Sequence, residues 1–542
     1  MIQVKSIIHD YQQVLLMGSF AVATFLFWFL GFPHTLSHQE QFQLFLWTDD
    51  YLSNSLCVPG GFAKWLGEFI VQFYYIPWLG ALLLAVLFSA FAKMVGWLPA
   101  MLLFGLLGDP HVLLGYVVAV LLVVLTFRLN TLKGRRSLIC DFVILPVLFW
   151  IAGPMAFLYV LLRITKLKVW GCLYIVYLLA IVLLAYNFVF DQLPLEMVLT
   201  PTLFYSLPLE TCPLMWIIPL AVIVEYLLFN LSFVNTRRGP VLYSVYGIFC
   251  LLVAWQVVKM GFDKDNNELM IQDYLVRNEC WDEVIERAER YQVQTAFSSV
   301  CVNLALSQKR QLADRMFDFY QNGEDALVMP YIRENTAMMF PSAEALWRLG
   351  MVNAALRYMF DVQEGLLMGQ LSGRCTKRIA ECMIVNGHYE IAAKHILKLK
   401  ESLFYRSWAK EAEELLGNEA KINTHPLYGK QRSLRFRQDL LFYYLGIDDM
   451  FGRLFMENNN NKMALDYYMG QLLLDSKIGP FRRALPMVER EGGYQQIPKG
   501  YADALNAIAR SGRVIGSPYV DYVNRMMKTK VRRVETPNSD EK

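Results

Sequence analysis

Lysine and arginine in the first 262 residues fall almost entirely in alternate gaps between apolar segments, a pattern that makes the chain weave back and forth across a bilayer. Lys5, Lys93, the Arg128, Lys133, Arg135 and Arg136 group, Arg163, Lys166 and Lys168, and Arg237 and Arg238 mark one side, read as cytoplasmic. The intervening gaps carry Glu40, Asp49, Asp50, Glu68, Asp109, Asp191, Glu196 and Glu210, with Lys64 as their cation. Two stretches are therefore expected on the opposite, periplasmic side of a bacterial inner membrane: the long loop at 32–73 and everything after residue 262. The N-terminus is expected in the cytoplasm.

With 55% apolar side chains over 542 residues the chain is too apolar for a purely soluble protein. A hydrocarbon core about 30 Å thick takes roughly 20 apolar residues per spanning helix. Nine segments qualify, at 13–32, 74–95, 96–108, 111–128, 138–152, 154–165, 169–190, 213–233 and 240–261. The third, fifth and sixth are short enough to be tilted, re-entrant or paired as hairpins. The first leads into Phe29, Phe32 and Pro33 rather than a small-residue cleavage site, so it reads as a span and not a signal peptide. A net charge of +3, nearly balanced in the second half, offers no basic field, so nucleic acid is not expected as a partner. The nine cysteines include no CxxC pair and read as buried free thiols.

From Asp263 onward, apolar residues recur at helical spacing in short segments broken by Gly and Asn. A template repeats: a turn residue, a bulky residue two later, Ala about five later and a large side chain four after that. Gly350, Val352, Ala355 and Met359 fit it, as do Gly387, Tyr389, Ala392 and Ile396. Weaker copies are Gln308, Arg310, Ala313 and Phe317; Asn459, Asn461, Ala464 and Tyr468; and Trp281, Val284 and Ala288. Antiparallel helices need a tight turn and then a small residue where they cross. The pattern resembles the tetratricopeptide repeat in degenerate form. The expected architecture is all-α: a polytopic transmembrane bundle over 1–262, an α-solenoid over 263–515, and a tail at 516–542 that is disordered from about Lys528. Such solenoids present a concave face to a peptide, a partner protein or their own chain.

The outer loop is the expected seat of chemistry. After Phe32 to Glu40 it carries Thr48, Asp49, Asp50 and Tyr51, then Pro59, Gly60 and Gly61, then a helix with Phe62, Trp65, Leu66, Phe69 and Phe73 on one face and Lys64, Glu68 and Gln72 opposite. That is the pattern of a helix lying in the membrane interface. The layout resembles the GT-C superfamily of membrane glycosyltransferases, whose first outer loop carries an acidic pair followed by amphipathic helices. The resemblance implies that Asp49 and Asp50 act as general base for an acceptor hydroxyl or anchor a divalent metal ion, while a polyprenyl-phosphate-linked sugar enters from the bilayer. Some members of that superfamily also join a multispanning transferase to tetratricopeptide repeats. The whole chain is similar, too, to a family of bacterial multispanning proteins with a helical C-terminal half and no assigned activity. Adjacent acids in a loop are also ordinary solvated or capping residues, and Asp50 is placed to cap a helix. His34 and His38, four residues apart with Glu40 nearby, are either loop polar groups or a metal site shared with Asp49 or Asp50.

Within the spans, Glu225 lies amid the apolar run at 213–233, where a charge is costly and faces the interior. It is expected either as a donor-site group or as a neutral carboxyl bonded to a neighbouring helix. Arg163 near an inner helix end meets a lipid phosphate or snorkels, and Lys259 at the outer end of the last span neutralises a polyprenyl phosphate or anchors its helix. No phosphate-binding glycine loop and no GxSxG occurs. Two readings remain: a periplasm-facing glycosyltransferase with an acceptor-binding repeat domain, and a non-enzymatic scaffold for envelope assembly.

Overall fold

The computed structural model describes residues 2–130, 135–167, 173–190, 193–207, 212–230, 239–329, 338–366, 369–436, 446–510 and 516–535. Lys133, Lys168, Asp191, Glu210, Arg237 and Arg238, on which the charge alternation partly rests, lie outside them, as do tail residues 536–542. Among the described residues the fold is all-helical, with a single isolated bridge, Val112 to Ser206, in place of any sheet.

The chain divides into two compact units, and the first is not contiguous in sequence. It comprises Met1–Asn267 together with Leu366–Arg374 and Lys398–Ser407. Its helices are α1 (Ile2–Leu26), α2 (Pro33–Gln41), α3 (Asp49–Leu56), α4 (Gly61–Val71), α5 (Pro77–Met94), α6 (Trp97–Leu106), α7 (Leu114–Leu129), α8 (Arg135–Ala152), α9 (Ala156–Leu167), α10 (Leu173–Phe188), α11 (Leu195–Leu199), α12 (Pro201–Phe204), α13 (Leu214–Asn230) and α14 (Gly239–Gly261). Among the described residues, four helical stretches are long and apolar enough to cross a bilayer: Gln13–Gly31, Pro77–Met94, Ile139–Lys166 and Ser244–Gly261. Trp97–Leu106, Leu114–Leu129, Leu173–Phe188 and Leu214–Leu228 are apolar but shorter. The long stretches cover the first, second, fifth with sixth, and ninth of the expected segments. The fifth and sixth expected segments fall in the one stretch Ile139–Lys166, which bends at Gly153, a residue held at φ 54°, followed by Pro154. It folds back on itself, because Asp141 near one end accepts a hydrogen bond from Arg163 near the other.

Glycine sets two of the closest helix crossings. A Cβ on Gly67 of α4 would overlap the backbone of Gly115 in α7, and one on Gly261 of α14 would overlap the backbone of Gly105 in α6. Lipid tails are as apolar as leucine, so helices in a bilayer gain from close backbone approach rather than from hiding apolar surface. In α4 the side carrying Ala63, Gly67, Glu68 and Val71 is buried, and the aromatic face expected to lie in the membrane interface is half-exposed.

Unit 2 comprises Glu268–Gly365, Cys375–Leu397 and Trp408–Lys542. It contains helices paired across tight turns, such as Met339–Leu349 with Val352–Glu364 and Ile447–Glu457 with Lys462–Leu474. Gly350 and Gly387 end their helices at φ 87° and 83°, the left-handed turn that favours glycine. The small residues of the repeating template, Ala288, Ala313, Ala355, Ala392 and Ala464, are all buried. Beyond residue 515 a helix runs from Pro518 to Glu535. Tyr522 anchors it by donating to the Leu474 carbonyl at 2.8 Å, and Tyr519 stands edge-on to Phe317.

Candidate functional site

The loop between α1 and α5 folds because each turn has a local stop. Pro33 opens α2, Thr48 caps α3, and Gly60 at φ 81° starts α4. The α3 cap is Thr48, whose Oγ1 accepts the Tyr51 N–H at 3.2 Å, not Asp50. Asp49 and Asp50 sit in the first turn of α3, both exposed, where a helix N-terminus favours negative charge.

One turn on, Tyr51 donates to Glu68 of α4. Glu68 is buried and receives Gln370 Nε2 at 3.4 Å. Burial pushes its carboxyl above the usual range, and burial also lowers Lys64, four residues earlier, to about 8. Lys64 stands over the Phe204 ring at 4.3 Å. Tyr51 is pushed well up by burial and by the Glu68 charge.

Helix α2 is buried although it is polar: His34, Thr35, His38, Gln39, Glu40 and Gln41 are all inside. Such groups are stable only when bonded. His34 Nε2 meets Asn267 Oδ1 at 2.8 Å, and Gln41 Nε2 meets His38 Nδ1 at 3.3 Å. Further partners come from the two late segments of the unit. Tyr405 donates to Glu40 at 2.9 Å, Arg374 to Gln41 Oε1 at 2.8 Å, and Ser372 to the Gln41 carbonyl at 2.6 Å. The backbone joins in, with Leu44 N–H on the Leu371 carbonyl and Trp47 N–H on the Glu401 carbonyl, each at 2.8 Å.

The other expected site residues lie elsewhere. Glu225 caps α6: its Oε1 accepts the Trp97 N–H at 3.1 Å and its Oε2 the Tyr246 hydroxyl, while Tyr246 receives the Leu98 N–H at 3.2 Å. Gly96 at φ 142° makes room, since a Cβ there would overlap the Glu225 side chain. Arg163 is buried against Asp141, which also accepts Asn130 Nδ2 at 2.7 Å, Tyr159 at 2.6 Å and Tyr174 at 3.0 Å. Lys259 is exposed, its Nζ 4.8 Å from the Trp255 ring. Among the described residues no contact brings Asp49 or Asp50 together with Glu225, Arg163 or Lys259. No cluster of three or more His, Cys, Asp or Glu fit to hold a metal occurs among them either, and His34 and His38 are apart from the exposed acids of α3.

Sequence reasoning missed Asp141 and misjudged Glu68. Asp141 was findable as an acid inside one apolar run with Arg163 inside the next. The burial of Glu68 left no local signal, because it depends on α4 packing its polar side inward. In unit 2 an open cleft of about 830 Å³ runs between Glu289, Gln292, Arg315, Tyr320, Asp521 and Arg525.

The molecule is thus an all-helical protein with helices apolar and long enough to span a membrane, joined to a unit of paired helices. Residues 10–527 match the model of DUF6057, a family of unknown function, and the chain belongs to that family. No curated protein and no solved structure matches it.

Proposed function

We propose that this chain is a membrane-anchored helical scaffold of the bacterial envelope, with its second half serving as a solenoid-like binding module on the periplasmic side. The observation behind this reading is what the outer loop does with its polar groups. Glu40, Gln41 and the backbone N–H groups of Leu44 and Trp47 are spent on residues 371–374, 401 and 405 of the same chain. A loop built to receive a sugar donor and an acceptor keeps such groups for its substrates; this one uses them to bind its own late segments. The shared side of loop and second half, expected from the charge alternation, gains support from the same bonds. The cleft at Arg315 and Arg525, with charged walls and the amide of Gln292, is the surface offered to a partner protein.

A second reading, a GT-C-like glycosyltransferase using a polyprenyl-phosphate sugar, is favoured by one observation: Asp49 and Asp50 remain exposed at the start of α3 while the neighbouring acids are bonded. In a strain lacking the gene, envelope glycans and membrane integrity are compared after complementation with wild type, with Asp49→Asn plus Asp50→Asn, and with Arg315→Glu plus Arg525→Glu. The scaffold reading expects the Asp variant to complement and the cleft variant to fail. Loss of glycans in the Asp variant at normal protein level supports the transferase instead.

A further inference from the structure

The late segment Lys398–Ser407 carries side chains that its neighbours place at a membrane boundary. The Phe404 ring stacks on Tyr75, 5.2 Å between centroids at 14°, and stands edge-on to Phe73 at 5.9 Å. Tyr75 is two residues before α5, a helix long and apolar enough to cross a bilayer. Its level is therefore the place where that helix enters the lipid, and aromatic rings gather at such levels. Around this point, apolar surface is left open: Trp47 is 50% exposed, Tyr75 43%, Trp78 51% and Leu403 41%. Trp47 is fixed to the segment by its backbone bond to Glu401, and its ring stands 5.6 Å from Phe69 on the aromatic side of α4. The segment also holds Lys398, Lys400 and Arg406 against the single acid Glu401, which suits the phosphates of lipid headgroups.

We infer that Leu403 and Phe404 form an interfacial anchor through which the second half of the chain contacts the outer surface of the bilayer, on the same level as Tyr75 and Trp78. This rests on the reading of α5 as a span. The occupant is lipid because the exposed patch is continuous with the start of that helix and is flanked by cations.

The test uses the full chain in vesicles of phosphatidylethanolamine and phosphatidylglycerol, with an environment-sensitive fluorescent amino acid in place of Leu403, Trp78 or Met456 in turn. Met456, 64% exposed in unit 2, is the aqueous reference. Quenching by headgroup-proximal nitroxide lipids is expected at 403 as strongly as at 78, with little at 456, and is expected to fall at 403 after Lys398→Gln plus Arg406→Gln. Quenching at 403 by aqueous iodide alone, with 78 still quenched by lipid, overturns the anchor and leaves the span intact. Protection of 403 from both quenchers marks a protein contact and also overturns it. Absence of lipid quenching at 78 overturns the span itself and the anchor with it.

Discussion

Leu44 and Leu371 are joined by a backbone hydrogen bond of 2.8 Å, although most of the chain separates them in sequence. Beside it, Arg374 bonds Gln41, and Ser372 bonds the carbonyl of the same residue. The first unit is therefore incomplete without residues that belong, by sequence, to the second half. A fragment ending at Asn267 is expected to strip Glu40 and Gln41 of their bonds to Tyr405, Arg374 and Ser372 and to be cleaved by protease in the loop at 32–73, where the full chain resists. Arg374→Ala is expected to cost about 1.5–3 kcal/mol, the usual worth of a hydrogen bond to a charged group. Thermal unfolding in detergent reads the second effect and limited proteolysis the first.

Asp141 and Arg163 form a charge pair with side-chain exposures of 0% and 2%. Removing one partner leaves a buried charge uncompensated, which typically costs about 3–5 kcal/mol. Arg163→Met alone is accordingly expected to lower the melting temperature sharply. Asp141→Asn combined with Arg163→Met removes both charges and is expected to recover most of the loss. A double variant no more stable than the worse single one counts against the pair as the source.

Gly67 and Gly115 let α4 and α7 touch. A side chain at Gly67 meets the Gly115 backbone, whereas one at Gly115 meets Lys64 Cα at 3.0 Å, a milder contact. Gly67→Val is therefore expected to destabilise more than Gly115→Ala, and to free the loop as seen by faster proteolysis after α3. Equal effects from the two substitutions would show that the crossing is not limited by backbone contact.

How much of this was readable beforehand follows from how local each signal is. The paired helices of unit 2 were legible because a turn glycine and a small residue five later, such as Gly387 and Ala392, repeat within one helical hairpin. Glu225 announced itself by standing in an apolar run, but the Trp97 N–H that it caps is distant in sequence. The aromatic face of α4 was legible from its spacing, but the burial of the opposite side, with Gly67 and Glu68, depends on Gly115 and Gln370, which are distant in sequence. Nothing local to residues 398–407 or 366–374 tells that they belong to the first unit. The fate of Asp49 and Asp50 is also set elsewhere, by whatever approaches an exposed helix start.

Lys64 gives the first unit a pH dependence with a definite sign. Its folded pKa is lowered from 10.5 to about 8 by burial, with Glu68 partly opposing the fall. Below about 8 both folded and unfolded states carry the proton, so the burial penalty is constant. From there upward the unfolded state holds the proton more tightly, and stability rises with pH. Tyr51 opposes this at the alkaline end, because its folded pKa is raised and the unfolded phenol ionises first, near 10.0. The net expectation is a gain in stability between pH 8 and pH 10 that levels or reverses beyond. Glu68 works against the lysine: its carboxyl is raised by burial, so stability falls as pH climbs from about 4.5 through its folded value. Thermal unfolding of wild type and Lys64→Met across pH 7 to 10 isolates the lysine. The alkaline gain should vanish in the variant; if it persists there unchanged, another group is responsible.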